Sequence, residues 1–585
     1  MARDLQHYTK EELLNYIDVL RKQLNSHKYG LYWDRTNDSE AVVQEVLTTI
    51  PVLKREKELL FTEETVMDGF PNMLIEGDNY HALIILEMLG LGNGIADVIY
   101  IDPPYNTGSE DFIYDDSYVN PDDGYRHSKW LSFMEKRLKI AKEVLTEKGV
   151  IFISIDDHEH ANLKLLCDSI FGEHRHVGTV VWHKKTQPSF LSKELINVTE
   201  YVLVYKNTDE KIPFFGSYSD TERSIEMLNI SNGKSVRRIN KDSVTIGNAF
   251  NGRLNKGLYG NGELKVELMD DLTVSNGIPE KDIVLSGRFK WTQARIDDEI
   301  GKGGKLYIRS IKTMRPTLKR GKDTQASVKP PINLQSKTIN GMATNTDATN
   351  ELKDIFGGVN PMSYPKPTAL MEFLIKSVTA DKKDAVVLDF FAGSGTTAHA
   401  VLKLNETDDG KRRFIICTNN EGEICETITY PRMETVITGV RKDGSRFSDG
   451  YKDGMIHFKT DFIPSTNNDD QSRYNLAEKA HGFLSILEGT NKLVCEDGAT
   501  THYSSANGAK HLFVYSDYYD SERFASFAEN VNTTEGEKVV YVFTGSDTVD
   551  EFIVQHLPGA TVKPIPNKFY DIYREIVEDI KRGEQ

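Results

Sequence analysis

Two separate parts of the chain alternate short β-branched and aromatic runs with helical stretches. That interrupted rhythm constrains the fold more than any other feature. Between about 73 and 205, "NMLIEG" leads into a helix from Tyr80, "ADVIYI" reads as a strand and "SKWLSFMEKRLKIAKEVL" as a helix. "GVIFISI" is then a strand, "HANLKLLCDSI" a helix, and "GTVVWHK" and "EYVLVYK" are strands. Apolar strands joined through helices predict an α/β fold with a doubly wound, mostly parallel sheet covered on both faces. The rhythm breaks over 211–350, where Gly, Asn, Ser, Lys and Arg are frequent. It resumes with the helix "TALMEFLIKSV", the strand "AVVLDF", a helix from about Thr396 and the strand "RFIICT".

Five regions follow. Residues 1–65 are expected to be an N-terminal helical accessory region. It opens on the capping box Thr9–Lys10–Glu11–Glu12, with Leu13, Leu14, Ile17, Leu20 and Leu24 at helical spacing. Residues 66–210 and 351–435 form the two halves of the sheet, and 211–350 is an insert between them. Residues 436–585 are expected to be a C-terminal α/β accessory domain, with the strand "KVVYVFT" and the helix "FYDIYREIVEDI".

The chain's 585 residues allow several domains. Its four cysteines, Cys167, Cys417, Cys425 and Cys495, include no C-x-x-C pair, which argues against a disulfide framework or a zinc ribbon. No metal site is expected. The opening residues lack a signal-peptide core and no apolar run approaches membrane-spanning length, so a soluble, cytoplasmic protein without membrane association is expected. The net charge of -17 argues against general polyanion binding, but it is unevenly spread. Residues 286–330 hold twelve Lys and Arg against four acids. Such a segment suits local contact with phosphates, although a solvated loop explains it equally well. Arg288, Lys290, Arg315, Lys319 and Arg320 are the candidates for such phosphate contact.

In "AVVLDFFAGSGTTAHAVLKL" a strand ends at Asp389 and passes through Phe391, Ala392, Gly393, Ser394 and Gly395 into a helix. Glycines there permit a tight turn and a close approach to a ligand, and the helix start offers free N–H groups. A purely structural turn is the plainer reading of the same residues. The run is neither a full dinucleotide motif nor a Walker A loop. The only Gly-Lys-Ser, at Gly233–Ser235, has Leu228 where the first loop glycine belongs. A loop without a phosphate-gripping lysine suits S-adenosylmethionine.

A second corner follows "DVIYI". Asp102–Pro103–Pro104–Tyr105 ends a strand with two residues that donate no N–H. The Asp102 carboxylate and the Pro103 carbonyl are two acceptors suited to one amine with two hydrogens, and Tyr105 offers a face for a planar ring. Hydrogen bonds from both N–H groups push a conjugated amine toward a nucleophilic geometry, and an activated methyl group held opposite is then attacked directly.

The Asp102–Tyr105 corner and the Phe391–Gly395 loop together resemble the two signature motifs of DNA amino-methyltransferases. The catalytic motif comes first, with the insert between, an order similar to the beta group of adenine methyltransferases. "LIEGDNYHAL", "VIYIDPPYNTGSEDFIYDDSY", "RHSKWLSFMEKRLKIAKEVL", "GVIFISIDDHE", "YPKP" and "YPR" resemble the modification subunit of type III restriction-modification systems. The resemblance implies a Rossmann-like methyltransferase sheet with an inserted target-recognition domain. It implies adenine-N6 methylation of a base flipped from double-stranded DNA, with S-adenosylmethionine as methyl donor. It further implies a homodimer and a separate helicase-nuclease restriction subunit. By the same resemblance Asp78 holds the cofactor's adenine amine and Asp389 organises its methionine end. Lys366, Pro367 and Thr368 lie near its amino-acid part, and Asn420 or Glu421 meets its ribose. Asp78 by itself also reads as a helix N-cap. Two other functions stay in view: methylation of the cytosine N4 amine, and a recognition subunit whose main task is to direct a nuclease-helicase partner.

Overall fold

The computed structural model describes residues 33, 40–60, 69–108, 113–114, 117–118, 124–187, 194–218, 224–247, 249–321, 328–466, 468–517, 521–544 and 547–583. The capping box at Thr9 lies outside them. The chain divides into two compact units, one of residues 1–213 with 332–585 and one of Phe214–Pro331.

The first unit is built on a 10-stranded sheet. In chain order its strands are β1 (Thr49–Leu60), β2 (Met73–Glu76), β3 (Ala96–Ile101), β4 (Leu145–Ile155) and β5 (His176–His183). They continue with β6 (Thr199–Lys206), β7 (Leu334–Gln335), β8 (Val386–Asp389), β9 (Arg413–Thr418) and β10 (Gly454–Pro464). The order across the sheet is β1-β10-β2-β9-β8-β3-β4-β6-β5-β7. From β10 to β4 every neighbour is parallel. The pairs β1·β10, β4·β6 and β6·β5 are antiparallel, so the sheet is mixed. The central strands are apolar at nearly every position because both faces are covered, as the continuous runs in the sequence require.

Helices α1 (Ala41–Val46), α2 (Asn79–Leu89), α3 (Arg126–Val144), α4 (His160–Phe171), α5 (Asn345–Ile355), α6 (Thr368–Thr379), α7 (Thr396–Asp408) and α8 (Tyr430–Thr438) belong to this unit. One large core joins α2, α3 and α4 to the strands.

Three expected boundaries differ. The described part of 1–65 is not purely helical, because "TIPVLKREKELL" forms β1, whose Ile50, Val52 and Leu53 are buried while Lys54 and Glu56–Glu58 are exposed. It pairs along its length with β10, so the sheet draws an edge from each end of the chain. The region 436–585 is no separate compact unit. It supplies β10, and its last helix (Lys568–Gly583) buries Phe569, Ile572 and Tyr573 in the main core, with the Tyr573 hydroxyl on the Val46 carbonyl at 2.7 Å. The remainder forms a 5-stranded sheet that includes Glu537–Val542. Finally, the second unit ends at Pro331, short of 350. The residues beyond form β7, beside β5, and α5 with its own capping box at Thr344 and Asp347. Among the described residues no helix is long and apolar enough to cross a membrane.

The second unit carries two 4-stranded sheets, a 3-stranded and a 2-stranded sheet, with a core of its own centred on Leu228, Ile246, Leu285, Phe289, Leu306 and Leu318.

Candidate active site

Four adjacent parallel strands, β2, β9, β8 and β3, all end along one edge of the sheet, which is where open α/β sheets place their ligands. Every cofactor and catalytic candidate except Lys366 and Thr368 lies at or just after one of these ends: Asp78 after β2, Asn420 and Glu421 after β9, Asp389 at the end of β8 with the glycine loop after it, and Asp102 after β3.

The glycine loop is held from within. Asp389 is buried, accepting the Phe391 N–H at 3.0 Å and the Thr397 hydroxyl at 2.5 Å. Burial pushes its carboxyl up to about 7 against those two hydrogen bonds. The Ala392 N–H bonds the Cys417 carbonyl of β9 at 3.0 Å, and the Thr429 hydroxyl bonds the Gly393 carbonyl at 2.6 Å. Gly393 (φ 49°) and Gly395 (φ 81°) both sit in the left-handed region that glycine tolerates best. A Cβ on Gly393 would meet only the Met362 methyl, at 3.5 Å, so the loop faces open space that a ligand can occupy. Asp389 thus shapes the loop through these two hydrogen bonds.

Behind the loop lies the buried guanidinium of Arg432, from the "YPR" motif, whose partners no local spacing signals. Arg432 donates to Ser394 Oγ and Thr396 Oγ1, both at 2.8 Å, and to Thr368 Oγ1 at 3.3 Å. The Thr368 hydroxyl in turn donates to Glu351 at 2.8 Å. Burial lowers Arg432 to about 10. Thr368 therefore reaches the glycine loop through Arg432.

Asp78 caps α2, accepting the Tyr80 N–H at 2.7 Å, and Arg137 lies 3.5 Å away. The next residue, Asn79, donates to the Phe390 carbonyl at 3.2 Å and ties the end of β2 to the end of β8. Asn420 uses its side-chain oxygen on the Glu426 N–H at 3.3 Å, while Glu421 is exposed.

The corner at Asp102 is pinned from helix α3. Trp130, fully buried, donates its indole N–H to the Pro104 carbonyl at 2.7 Å. Among the described residues no donor reaches the Pro103 carbonyl. Asn106 adopts φ 57° and donates to the buried Glu159 at 2.5 Å, closing the turn. The Tyr105 hydroxyl donates to Asp102 Oδ1 at 2.7 Å. Burial, with the charges of Asp102 and Glu200, raises this phenol well above its ordinary value, so it remains a donor.

Lys366 is the unexpected member. The resemblance placed it by the cofactor's amino-acid part. The structure places its ammonium 2.8 Å from Asp102 Oδ2 and 3.3 Å from Glu200 Oε2, with the Tyr105 ring centroid at 5.0 Å. Burial opposes the charge, yet Asp102 and Glu200 outweigh it and raise the ammonium above its ordinary value. Glu200, at the start of β6, and Lys184, just after β5, form a 3.0 Å ion pair. Burial works against the Glu200 charge, but Lys366 and Lys184 still hold its carboxyl below the ordinary range. No spacing in the sequence connects 184, 200 and 366; the antiparallel β5·β6 pair brings Lys184 beside Glu200, since Trp182 lies opposite Glu200, and Lys366 joins them from the segment before α6.

In the second unit the five expected DNA contacts divide. Arg288 donates to the Ile230 and Asn232 carbonyls, Arg315 to the Leu264 carbonyl, and Arg320 lies 3.7 Å from Glu299 and near the Trp291 ring. Arg288 and Arg315 thus brace the unit's own loops, and Arg320 faces an acid of the unit's own helix. Lys290 and Lys319 are exposed, with no side-chain partner among the described residues. Lys319 pairs across its strand with Lys305, also exposed, so two like charges stand side by side.

A sheet edge with a glycine loop on one strand and Asp-Pro-Pro-Tyr on its neighbour defines a class of methyl-transferring enzymes, and the chain belongs to the DNA methylase family, whose model matches residues 96–430. The family's methyl donor is S-adenosylmethionine. The chain is similar to the StyLTI Mod subunit of a type III restriction-modification enzyme from Salmonella typhimurium, 31% identical over 77% of this chain and 66% of that protein. It is similar to the EcoPI Mod subunit of Escherichia phage P1, at 32% over 71% of this chain and 67% of that one. It also resembles the type II methyltransferase M.KpnI of Klebsiella pneumoniae, at 30% over 63% of this chain and 87% of that protein. The chain spans about two thirds of the length of those two type III subunits.

Proposed function

We propose that this DNA methylase transfers a methyl group from S-adenosylmethionine to the N6 amine of an adenine flipped out of duplex DNA. In this reading it is the modification and recognition subunit of a type III restriction-modification system. A second copy of the chain and a separate helicase-nuclease subunit complete that assembly, on the strength of the resemblance to the Mod subunits.

The observation that carries the chemistry is the ammonium on Asp102. A nitrogen bearing hydrogens, 2.8 Å from Oδ2 and beside the Tyr105 ring, occupies a seat with the polarity and shape that a base amine needs. When the base enters, its amine takes the acceptors Asp102 Oδ2 and Pro103 O, its ring lies along Tyr105, and Lys366 stays paired with Glu200. Asp102 draws on the N–H bonds and localises the nitrogen lone pair. S-adenosylmethionine, when bound, supplies an electrophilic methyl group. The amine gains that methyl as the C–S pair returns to sulfur, and it loses one proton by way of Asp102. The Gly393 cradle fits such a cofactor, since only the Met362 methyl borders the position a Cβ would take.

Residues 214–331 read the target sequence in this account, with Lys290, Lys305 and Lys319 meeting phosphates. Methylation-sensitive long-read sequencing of DNA from cells with and without the gene tests the proposal. Gene-dependent N6-methyladenine at one sequence motif is expected. N4-methylcytosine in its place would reassign the base, and no gene-dependent mark would remove the activity.

A further inference from the structure

Three chemically distinct ligand atoms meet behind the cofactor edge, from positions far apart in sequence. Glu76 is the last residue of β2, Cys425 follows the loop after β9, and His457 lies in β10. Glu76 Oε2 is 2.9 Å from His457 Nε2, Cys425 Sγ is 4.0 Å from that same nitrogen, and all three atoms lie within 4.8 Å of one another. All three side chains are buried, at 8%, 0% and 2% exposure for Glu76, Cys425 and His457.

From this cluster we propose that Glu76, Cys425 and His457 bind a divalent transition ion of borderline softness, zinc above all. Thiolate, imidazole and carboxylate form a donor set zinc accepts, with ligand bonds of about 2.0–2.3 Å. Atoms this close admit an ion between them with small side-chain adjustments. Glu76 Oε2 is buried with no aligned hydrogen-bond partner among the described residues, a condition an ion at the carboxylate would relieve. Lys459 lies 3.1 Å from the other oxygen, Glu76 Oε1, where it steadies the carboxylate as outer partners of metal ligands do. Burial keeps the imidazole neutral despite Glu76, leaving a lone pair for a metal. Burial, with the neighbouring Glu76 carboxylate, pushes the Cys425 thiol up to about 12, so the ion must displace its proton into solvent. Lys57 and Lys459 oppose a dication here, which makes the thiolate necessary to the site.

The consequence reaches the cofactor side. Glu76 immediately precedes Gly77 and Asp78, and a Cβ at Gly77 would collide with the Thr460 side chain of β10. An ion held between β2 and β10 therefore fixes the strand end from which Asp78 projects.

The test uses the purified full chain, stripped by chelator dialysis and titrated with cobalt(II), then zinc. One cobalt per chain is expected, with an intense thiolate-to-cobalt absorption that zinc abolishes. Cys425→Ser should lose that absorption and His457→Gln should weaken zinc at least tenfold, while Cys495→Ser, at the exposed cysteine, behaves as wild type. Should a variant fail to fold, X-ray absorption on zinc-loaded wild type decides instead: one sulfur with nitrogen and oxygen neighbours supports the site. A shell with no sulfur or several, no stoichiometric binding by wild type, or the absorption persisting in Cys425→Ser overturns it.

Discussion

Lys366 Nζ lies 2.8 Å from Asp102 Oδ2, so the carboxylate assigned to the target amine already holds a nitrogen with hydrogens to give. Replacing Asp102 by Ala removes the acceptor but leaves the glycine loop untouched. Methyl transfer should fall about a hundredfold or more, the scale for losing one preorganised group where charge develops. Cofactor affinity by calorimetry should stay within about threefold, since the lost bond serves the base and not the cofactor. An Asp102→Ala protein that no longer binds cofactor would contradict this division.

Gly393→Val should behave in the opposite way. Its φ of 49° is one a β-branched residue avoids, and the new side chain would enter the space beside Met362. Calorimetry should show cofactor binding lost or cut by more than tenfold, with DNA binding retained. Unchanged cofactor affinity would place the cofactor elsewhere.

Asp389 gives a pH dependence. Its folded-state carboxyl is raised to about 7, above an unfolded value of about 3.9. The stability associated with this group is therefore fully present below about pH 4 and is lost as pH rises through about 7. Asp389→Asn cannot titrate. The stability of wild type relative to Asp389→Asn, from urea denaturation, should fall by up to roughly 4 kcal/mol across that window and level off above it. A difference that stays flat between pH 4 and pH 7 would mean that Asp389 is ionised throughout.

Much of this site is local and therefore legible in sequence. Strand ends at Ile101, Asp389 and Thr418 follow from short apolar runs that give way to Asp-Pro-Pro, to the Gly393–Gly395 turn and to Asn419–Asn420, and the helix starting at Thr396 stands where its glycines predict it. Partnerships between distant segments are not legible in that way. Nothing in "KKTQ" or "EYVLVYK" says that Lys184 and Glu200 would converge with Lys366; antiparallel pairing of β5 and β6 sets the first two side by side, and the third comes from a distant segment. The edge formed by β1 and β10 is not legible in sequence, because strand pairing between the two ends of a chain leaves no periodic signal. In the insert, charge counting found the basic stretch but could not separate arginines that bond carbonyls from lysines that face solvent.

That separation sets the next expectation. Changing Lys290, Lys305 and Lys319 together to Gln should weaken DNA binding and leave cofactor binding intact. If all three meet phosphate, the slope of log affinity against log salt should flatten by up to about 2.7, at about 0.9 per contact. Arg315→Gln should instead destabilise residues 214–331, because its guanidinium bonds the Leu264 carbonyl, with no change in slope once folded. An unaltered slope in the triple lysine variant would move DNA contact away from this strand pair.

The most direct measurement is the identity of the methylated base. Purified protein is incubated with duplex DNA and isotope-labelled S-adenosylmethionine, and the DNA is digested to nucleosides and analysed by mass spectrometry. Labelled N6-methyl-2′-deoxyadenosine from wild type, absent with Asp102→Ala, is the predicted result. Label in N4-methyl-2′-deoxycytidine, or N6-methyl-2′-deoxyadenosine made equally well by Asp102→Ala, would contradict the account.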